Sequence, residues 1–191
     1  MIFVTVGTQL PFDRLIRTVD DWAARANRTD IFAQIGPSDY RPRCIQCAQF
    51  IDVQEFRRRV EQARIIIAHA GMGSILTVLE LGKPILVMPR RADLNEHRND
   101  HQLATARHLL AQGRVHVAFD EAELMAKLNR LDEIEAAEPI HTQASPQLIG
   151  ALREFIHSGR LPATTAPIRT GAAGADDLLA PPANGWLTTE S

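Results

Sequence analysis

Cysteine is nearly absent from this chain of 191 residues, where Cys44 and Cys47 are the only two. One C-x-x-C without a second is weak ground for a metal or redox site, and the pair reads as reduced structural thiols. If 44–50 forms a strand, thiols three residues apart point to opposite faces and cannot share a metal. No stretch approaches the ~20 consecutive apolar residues of a transmembrane helix, and the N-terminus lacks the basic segment and cleavage site of a signal peptide. A cytoplasmic chain is expected. The formal net charge of -2 leaves no electrostatic footprint for DNA or RNA. There is no internal repeat.

What is present is ordinary globular composition, 45% hydrophobic and 23% charged, in a length that suits one domain with a real core. Apolar runs alternate with helical periodicity. Strands are expected near 2–6, 31–35, 44–50, 65–69, 84–88 and 114–118, and helices near 11–26, 53–62, 73–81, 98–111, 120–130 and 146–158. Near-continuous apolar strands are those covered by helices on both faces, so the fold class is α/β, a Rossmann-like doubly wound parallel sheet. One domain is expected over 1–160. From 161 to 191 the composition turns to Pro, Ala, Gly and Thr, which reads as a flexible tail. Leu178-Leu179 and Trp186-Leu187 in it are read as solvated rather than as a docking element.

The stretch from Arg64 to Pro89 is the most informative. It runs from the apolar strand Ile65-Ile66-Ile67-Ala68 through the turn His69-Ala70-Gly71-Met72-Gly73-Ser74 to a helix carrying Glu80. Gly82-Lys83-Pro84 and a second strand, Ile85-Leu86-Val87-Met88, follow. Two glycines at a strand end let a ligand approach the backbone, and the helix beyond offers unpaired N–H groups and a positive dipole end. The turn reads as a phosphate cradle. It has neither the Lys-Ser/Thr ending of a P-loop nor the dinucleotide G-x-G-x-x-G spacing, which points instead to a sugar nucleoside diphosphate.

With its flanks, this stretch resembles the C-terminal, donor-binding half of glycosyltransferase family 28, a GT-B family. Met1 to Thr8 and Phe12-Asp13-Arg14-Leu15-Ile16 resemble the start of the small subunit of two-subunit transferases, of the kind that serve dolichol-linked GlcNAc transfer and bacterial exopolysaccharide assembly. The turn 69–74, then Leu76 to Glu80, Gly82-Lys83-Pro84 and Asn99-Asp100-His101-Gln102-Leu103 follow in the family's order. A complete GT-B enzyme pairs two such domains. The resemblance therefore implies a UDP-sugar-binding, inverting catalytic subunit whose acceptor half is a membrane-associated partner. The acceptor would be a saccharide on a polyprenyl diphosphate, and the partner would hold this chain at the inner face of the membrane. Two other readings stay open, a non-catalytic binding or activating subunit and a sugar-nucleotide epimerase of related fold, the latter disfavoured by the short chain.

The resemblance also implies roles for single residues. Gly71, Met72, Gly73 and Ser74 hold the diphosphate, though Ser74 also suits a plain helix N-cap. His69 either donates to a phosphate or sugar hydroxyl or is a structural histidine. Glu80 takes the two ribose hydroxyls unless it is a plain surface glutamate near the helix end, and Phe50 and Ile51 lie at the uracil, where core packing explains Phe50 equally well. Asn99, Asp100, His101 and Gln102 lie at the donor sugar, or simply cap a helix and face water. Gly7, Thr8 and Gln9 end the first strand between donor phosphates and acceptor. Asp13 and His101 are the candidate bases.

No metal is expected. D-x-D, the carboxylate pair that holds a divalent ion on a sugar nucleotide, is absent. His97 and His101 would share a helix face, but without a third ligand they make a poor zinc site. The donor sugar is left open among glucuronate, galactose, glucose and GlcNAc. Arg90 and Arg91, able to pair with a carboxylate, favour glucuronate unless they are merely a solvated face.

Overall fold

The computed structural model describes residues 1–140. Six strands, β1 (Ile2–Thr5), β2 (Ile31–Gln34), β3 (Gln46–Ala48), β4 (Ile65–His69), β5 (Ile85–Met88) and β6 (His116–Val117), form one sheet in the order β3-β2-β1-β4-β5-β6. Every neighbouring pair is parallel. The helices between them are α1 (Asp13–Arg25), α2 (Val53–Gln62), α3 (Met72–Glu80), α4 (His101–Ala111) and α5 (Glu121–Leu128), followed by a 3-10 turn at Leu131–Glu133. This is the expected Rossmann-like doubly wound architecture, with its topological switch between β1 and β4.

Alternation along β1 shows why both faces need cover. Ile2 and Val4 pack with Leu15, Ile16 and Val19 of α1 and Leu124 and Leu128 of α5. Phe3 faces the other way, against Val60 of α2, Ile75, Val78 and Leu79 of α3 and Ala106 of α4. Each such fully buried side chain contributes about 1.5–3 kcal/mol. A strand buried on both faces has to be apolar at every position, as Ile65-Ile66-Ile67 is.

Boundaries differ from expectation where a carboxylate competes for backbone N–H groups. β3 was expected from 44, yet it starts at Gln46. The N–H groups of Arg43 and Cys44 donate instead to the buried Asp20 carboxylate, at 2.9 and 2.8 Å, which also accepts from the Tyr40 hydroxyl at 2.8 Å. Cys44 thus sits in a turn and Cys47 on the edge strand. Both are free and exposed, so the opposite-face argument for the pair lapses. Similarly, α4 starts at His101 rather than near 98, because the Ala92 N–H goes to Asp100, the Arg91 N–H goes to Glu96, and Asn95 is left-handed at φ 57. The helix expected at 146–158 lies outside the described residues, as does the 161–191 tail.

Lys83 explains part of the Gly82-Lys83-Pro84 motif. Its ammonium donates to the carbonyls of Glu61 (2.6 Å) and Ala63 (3.1 Å), capping the end of α2 where the dipole is negative. This motif sits at the N-terminal end of β5, on the side of the sheet away from the candidate site.

Candidate functional site

A cleft of about 440 Å³ opens at the C-terminal ends of the strands. That volume suits a small ligand, and the position is where open α/β sheets bind theirs. Three helices begin at its wall. Ile51, Asp52 and Val53 bring the start of α2, Gly71, Gly73 and Ser74 the start of α3, and His101 and Gln102 the start of α4. Thr5 to Leu10 supply the floor and one side, with Gln34, His69 and Arg90 beneath.

The start of α3 has no side-chain cap. Asp52 caps α2 by accepting from the Glu55 N–H at 2.8 Å, whereas the cap residue of α3 is Gly71, which has no side chain to do so. Ser74 therefore lies inside the helix rather than at its N-cap, and its hydroxyl is not needed for capping. The first N–H groups of a helix have no intrahelical acceptor and carry the positive end of its dipole. An added Cβ at Gly73 would meet nothing within 4 Å, so the backbone there is open to a ligand.

Gly71 has a different reason to be glycine. A Cβ there would fall on the His69 ring, and one on Gly7, which holds φ 77, would lie 2.9 Å from the same ring. The imidazole is wedged between two bare backbones. Its Nδ1 is buried without a partner, and burial first, then the nearby Arg90, pushes its pKa down to about 4. His69 is accordingly neutral at physiological pH, a hydrogen-bonding group rather than a cation.

This depression makes stability acid-sensitive. Between about 4 in the folded state and the ordinary 6.5, the unfolded chain binds the proton and the folded one does not, so stability falls as pH drops through that window. The gap corresponds to on the order of 3 kcal/mol at full effect. In His69→Asn, the difference in unfolding free energy between pH 7 and pH 4.5, measured with urea, is expected to be smaller than in the wild type. An unchanged difference would show that His69 titrates normally.

The sequence-predicted residues are only partly brought together. Gly7, Thr8, Ile51, His69, Gly71, Gly73, Ser74, His101 and Gln102 line the cleft, while Phe50, Met72, Glu80, Asn99 and Asp100 do not. Phe50 is 51% exposed, which removes core packing as its explanation. Glu80 is exposed at the far end of α3, on the face it shares with Gly73 and Thr77. Asn99 and Asp100 serve the entrance to α4, through His101 N–H to Asn99 Oδ1 at 3.4 Å and Ala92 N–H to Asp100 Oδ1 at 2.9 Å. Asp13 stands at the start of α1 and accepts from the Ser38 hydroxyl at 2.5 Å. Nor does the Gly36-Pro37 turn join the lining. It packs behind the Gly7 to Leu10 loop, with a Gly36 Cβ position 3.2 Å from Val6 Cγ2.

Two corrections concern charge. Arg90 is not a solvated arginine: it is 2% exposed and bound to main-chain carbonyls, while Arg91 pairs with Asp93. Neither is free for a sugar carboxylate. His97 and His101 meet edge to face with ring centroids 4.5 Å apart, and burial and then His101 lower the pKa of His97. Among the described residues no group of three or more His, Cys, Asp or Glu side chains is placed to hold a metal ion.

Gln34 was missed by sequence reasoning. It is buried at the end of β2 among the cleft-lining residues, where its Oε1 accepts from the Thr5 hydroxyl at 2.9 Å. The signal was available as a polar residue closing an otherwise apolar strand at its C-terminal end.

Comparison with known proteins decides the family, since residues 1–148 match the glycosyltransferase family 28 C-terminal domain. The chain belongs to that family. As a family 28 domain it aligns with the UDP-N-acetylglucosamine transferase subunit ALG13 of Homo sapiens, 29% identical over 189 residues. The match covers 88% of this chain and 16% of that protein, so the chain spans a small part of this curated relative's length. The solution structure of ALG13 has the same fold, with a TM-score of 0.52 and 20% identity over 82% of this chain and 96% of that one. MurG of Acinetobacter baumannii is also similar, at a TM-score of 0.50 and 21% identity over 68% of this chain and 40% of that chain. At such identities these two structures speak for the fold. No helix among the described residues is long and apolar enough to cross a membrane.

Proposed function

We propose that this chain is the UDP-sugar-binding subunit of a two-subunit glycosyltransferase, with the acceptor site on a membrane-associated partner. The observation that carries the reading is the uncapped start of α3, with open space at Gly73, facing a nucleotide-sized cleft in a family 28 domain. The named role of the human relative as a UDP-N-acetylglucosamine transferase subunit supports a uridine diphosphate donor. Calorimetry with UDP, ADP and TDP tests it directly. UDP is expected to bind most tightly, and equal affinities for all three would sink the uridine reading.

In this reading the diphosphate lies on the N–H groups of Met72, Gly73 and Ser74, and the nucleoside extends along α3 toward Glu80. Seven residues of helix separate Gly73 from Glu80, about 10 Å along the axis. Ile51 and Phe50 sit at the base, and Gln102 and His101 at the sugar. An acceptor hydroxyl attacks the anomeric carbon in line, the bond to the UDP oxygen breaks, and the leaving charge develops against the α3 N-terminus. Inversion follows from a single displacement.

Proton removal from the acceptor finds little support on this chain. Asp13 is outside the cleft and engaged by Ser38, Asp52 caps α2, and His69 is wedged and, with a pKa pulled down to about 4, only weakly basic. His101 is the remaining candidate. This favours a donor-binding subunit whose base lies on its partner, and with it the reading of a binding or activating subunit. The donor sugar is a hexose, hexosamine or hexuronic acid, without the preference for glucuronate that free arginines would have given. The acceptor is a polyprenyl-diphosphate-linked saccharide, the setting exopolysaccharide assembly.

Glu80 is the sharpest single test of nucleotide placement. Glu80→Ala removes hydrogen bonds from two ribose hydroxyls to a carboxylate, each worth about 1.5–3 kcal/mol, so UDP affinity should fall at least about tenfold. Stability without ligand should move by no more than about 0.5 kcal/mol, since the residue is exposed. The wild type should discriminate against 2′-deoxy-UDP, and the variant should not. Undiminished UDP affinity in the variant would make Glu80 a plain surface residue.

A further inference from the structure

Arg90, at the exit of β5, has an arrangement that the family motifs do not anticipate. Its Nη2 donates to the carbonyls of Val6 (2.9 Å) and Leu10 (2.6 Å), and its Nη1 to those of Pro11 (2.5 Å) and Glu96 (3.4 Å). The guanidinium lies 4.7 Å from the Phe12 ring centroid, and the Arg90 N–H donates to Gln102 at 3.1 Å. Val6 on one side and Leu10 and Pro11 on the other bracket Gly7-Thr8-Gln9. One rigid fork thus fixes both ends of the loop that forms a side of the cleft.

The second feature is charge. Among the described residues no carboxylate lies within ion-pair distance of Arg90. Glu96 is turned to Arg14, accepting from Nε at 2.7 Å and Nη2 at 2.8 Å, and from the Arg91 N–H at 3.0 Å. Carbonyls satisfy the donors of a guanidinium without cancelling its charge, and a buried cation left in that state is costly. Burial accordingly pulls the Arg90 pKa down to about 10, the Glu96 charge opposing it only in part, and the guanidinium stays charged at neutral pH. His69, its neighbour in the cleft, is neutral and brings no negative charge.

We infer that Arg90 is the positioning residue of the anion site, clamping the Gly7-Thr8-Gln9 loop at both ends and holding a buried charge that the diphosphate neutralises on binding. The ligand's identity rests on the UDP-sugar reading. The clamp rests on the unliganded fold alone.

The test uses the full chain with Arg90→Lys and Arg90→Met, calorimetry with uridine, UMP, UDP and inorganic pyrophosphate, and amide exchange across residues 6–11 without ligand. Arg90→Met should weaken UDP and pyrophosphate about tenfold or more and uridine by less than about threefold, because the lost term scales with phosphate charge. Arg90→Lys should restore part of the UDP affinity, since it returns the charge. Both variants should exchange the loop amides faster, since an ammonium cannot span four carbonyls. Equal losses for uridine and UDP would overturn the charge role, and unchanged loop exchange in both would overturn the clamp. Should Arg90→Met fail to fold, Arg90→Lys alone decides: normal exchange overturns the clamp, and a uridine loss equal to its UDP loss overturns the charge role. A wild type that binds pyrophosphate but shows no preference for uridine nucleotides refutes the UDP reading and leaves Arg90 to be judged on pyrophosphate and exchange. A wild type that binds neither pyrophosphate nor UDP overturns the charge role outright.

Discussion

Gly71→Ala and Gly73→Leu are expected to fail in opposite ways, although they alter the same turn. At Gly71 an added Cβ would lie 2.8 Å from Cδ2 and 2.9 Å from Cε1 of His69, whose ring is held from the other side by Gly7. The ring has nowhere to go, and overpacking of that kind costs about 1–3 kcal/mol. Gly71→Ala should therefore unfold at lower temperature, with ligand affinity falling only as far as the turn is displaced. At Gly73 a side chain meets nothing within 4 Å. The residue is in the first turn of a helix and its φ is not left-handed, so replacing glycine there should not lower stability. A leucine would, however, fill the space that the proposed function gives to the diphosphate, and on that reading UDP affinity should fall about 100-fold, or ~2.7 kcal/mol. Melting curves and UDP calorimetry on both variants separate the two glycines. Undiminished UDP affinity in Gly73→Leu would move the anion site away from α3, and an unaltered melting temperature in Gly71→Ala would show that the His69 ring is free to swing.

That the turn holds two glycines was legible in the sequence, and their separate reasons were not. Periodicity and apolar runs locate a strand and a helix because these are local properties, and each of the six strands and five helices within the described residues overlaps its expected span, with β3 and α4 starting later. The hand-over at 69–74 was equally local, so the glycine turn and the helix start after it could be read directly. The packing of Gly71 on His69 depends on which way a side chain turns in three dimensions, and no spacing rule carries that. Arg90 shows the same limit more sharply. Beside Arg91 it looks like half of an exposed basic pair, yet its partners are carbonyls about eighty residues earlier in the chain. Main-chain acceptors leave no trace in residue identity. Asp20 is a parallel case, since its capture of the Arg43 and Cys44 N–H groups shortens β3 from a distance of more than twenty residues. Asp13, by contrast, took its candidacy from being an acid beside the first loop, and a single hydroxyl from Ser38 accounts for its position.

Transfer by the isolated chain is expected to be at least a thousandfold slower than with its partner, the largest effect the reading implies. Three helix N-termini and an open backbone at Gly73 lie at the cleft, and no unengaged carboxylate among the lining residues is placed to act as a base. General base catalysis contributes about 10²–10⁴-fold, and correct placement of the acceptor hydroxyl adds more, so a chain that supplies neither binds donor without moving it. Purified alone, the protein should bind UDP yet release little UDP from any of UDP-glucuronate, UDP-galactose, UDP-glucose or UDP-GlcNAc. With membranes from cells that co-express the acceptor subunit, one of these donors should be consumed, and a lipid-extractable labelled product should appear. The rate should survive excess chelator, because the leaving charge is met by helix N–H groups rather than by a metal. Full turnover by the isolated chain on a lipid-linked acceptor would overturn the two-subunit reading. Loss of activity in chelator, restored by manganese or zinc, would return His97 and His101 to consideration as ligands. UDP binding that is normal in every arm, with no transfer under any pairing, would leave a subunit that presents or senses the nucleotide sugar for a transferase complete in another chain.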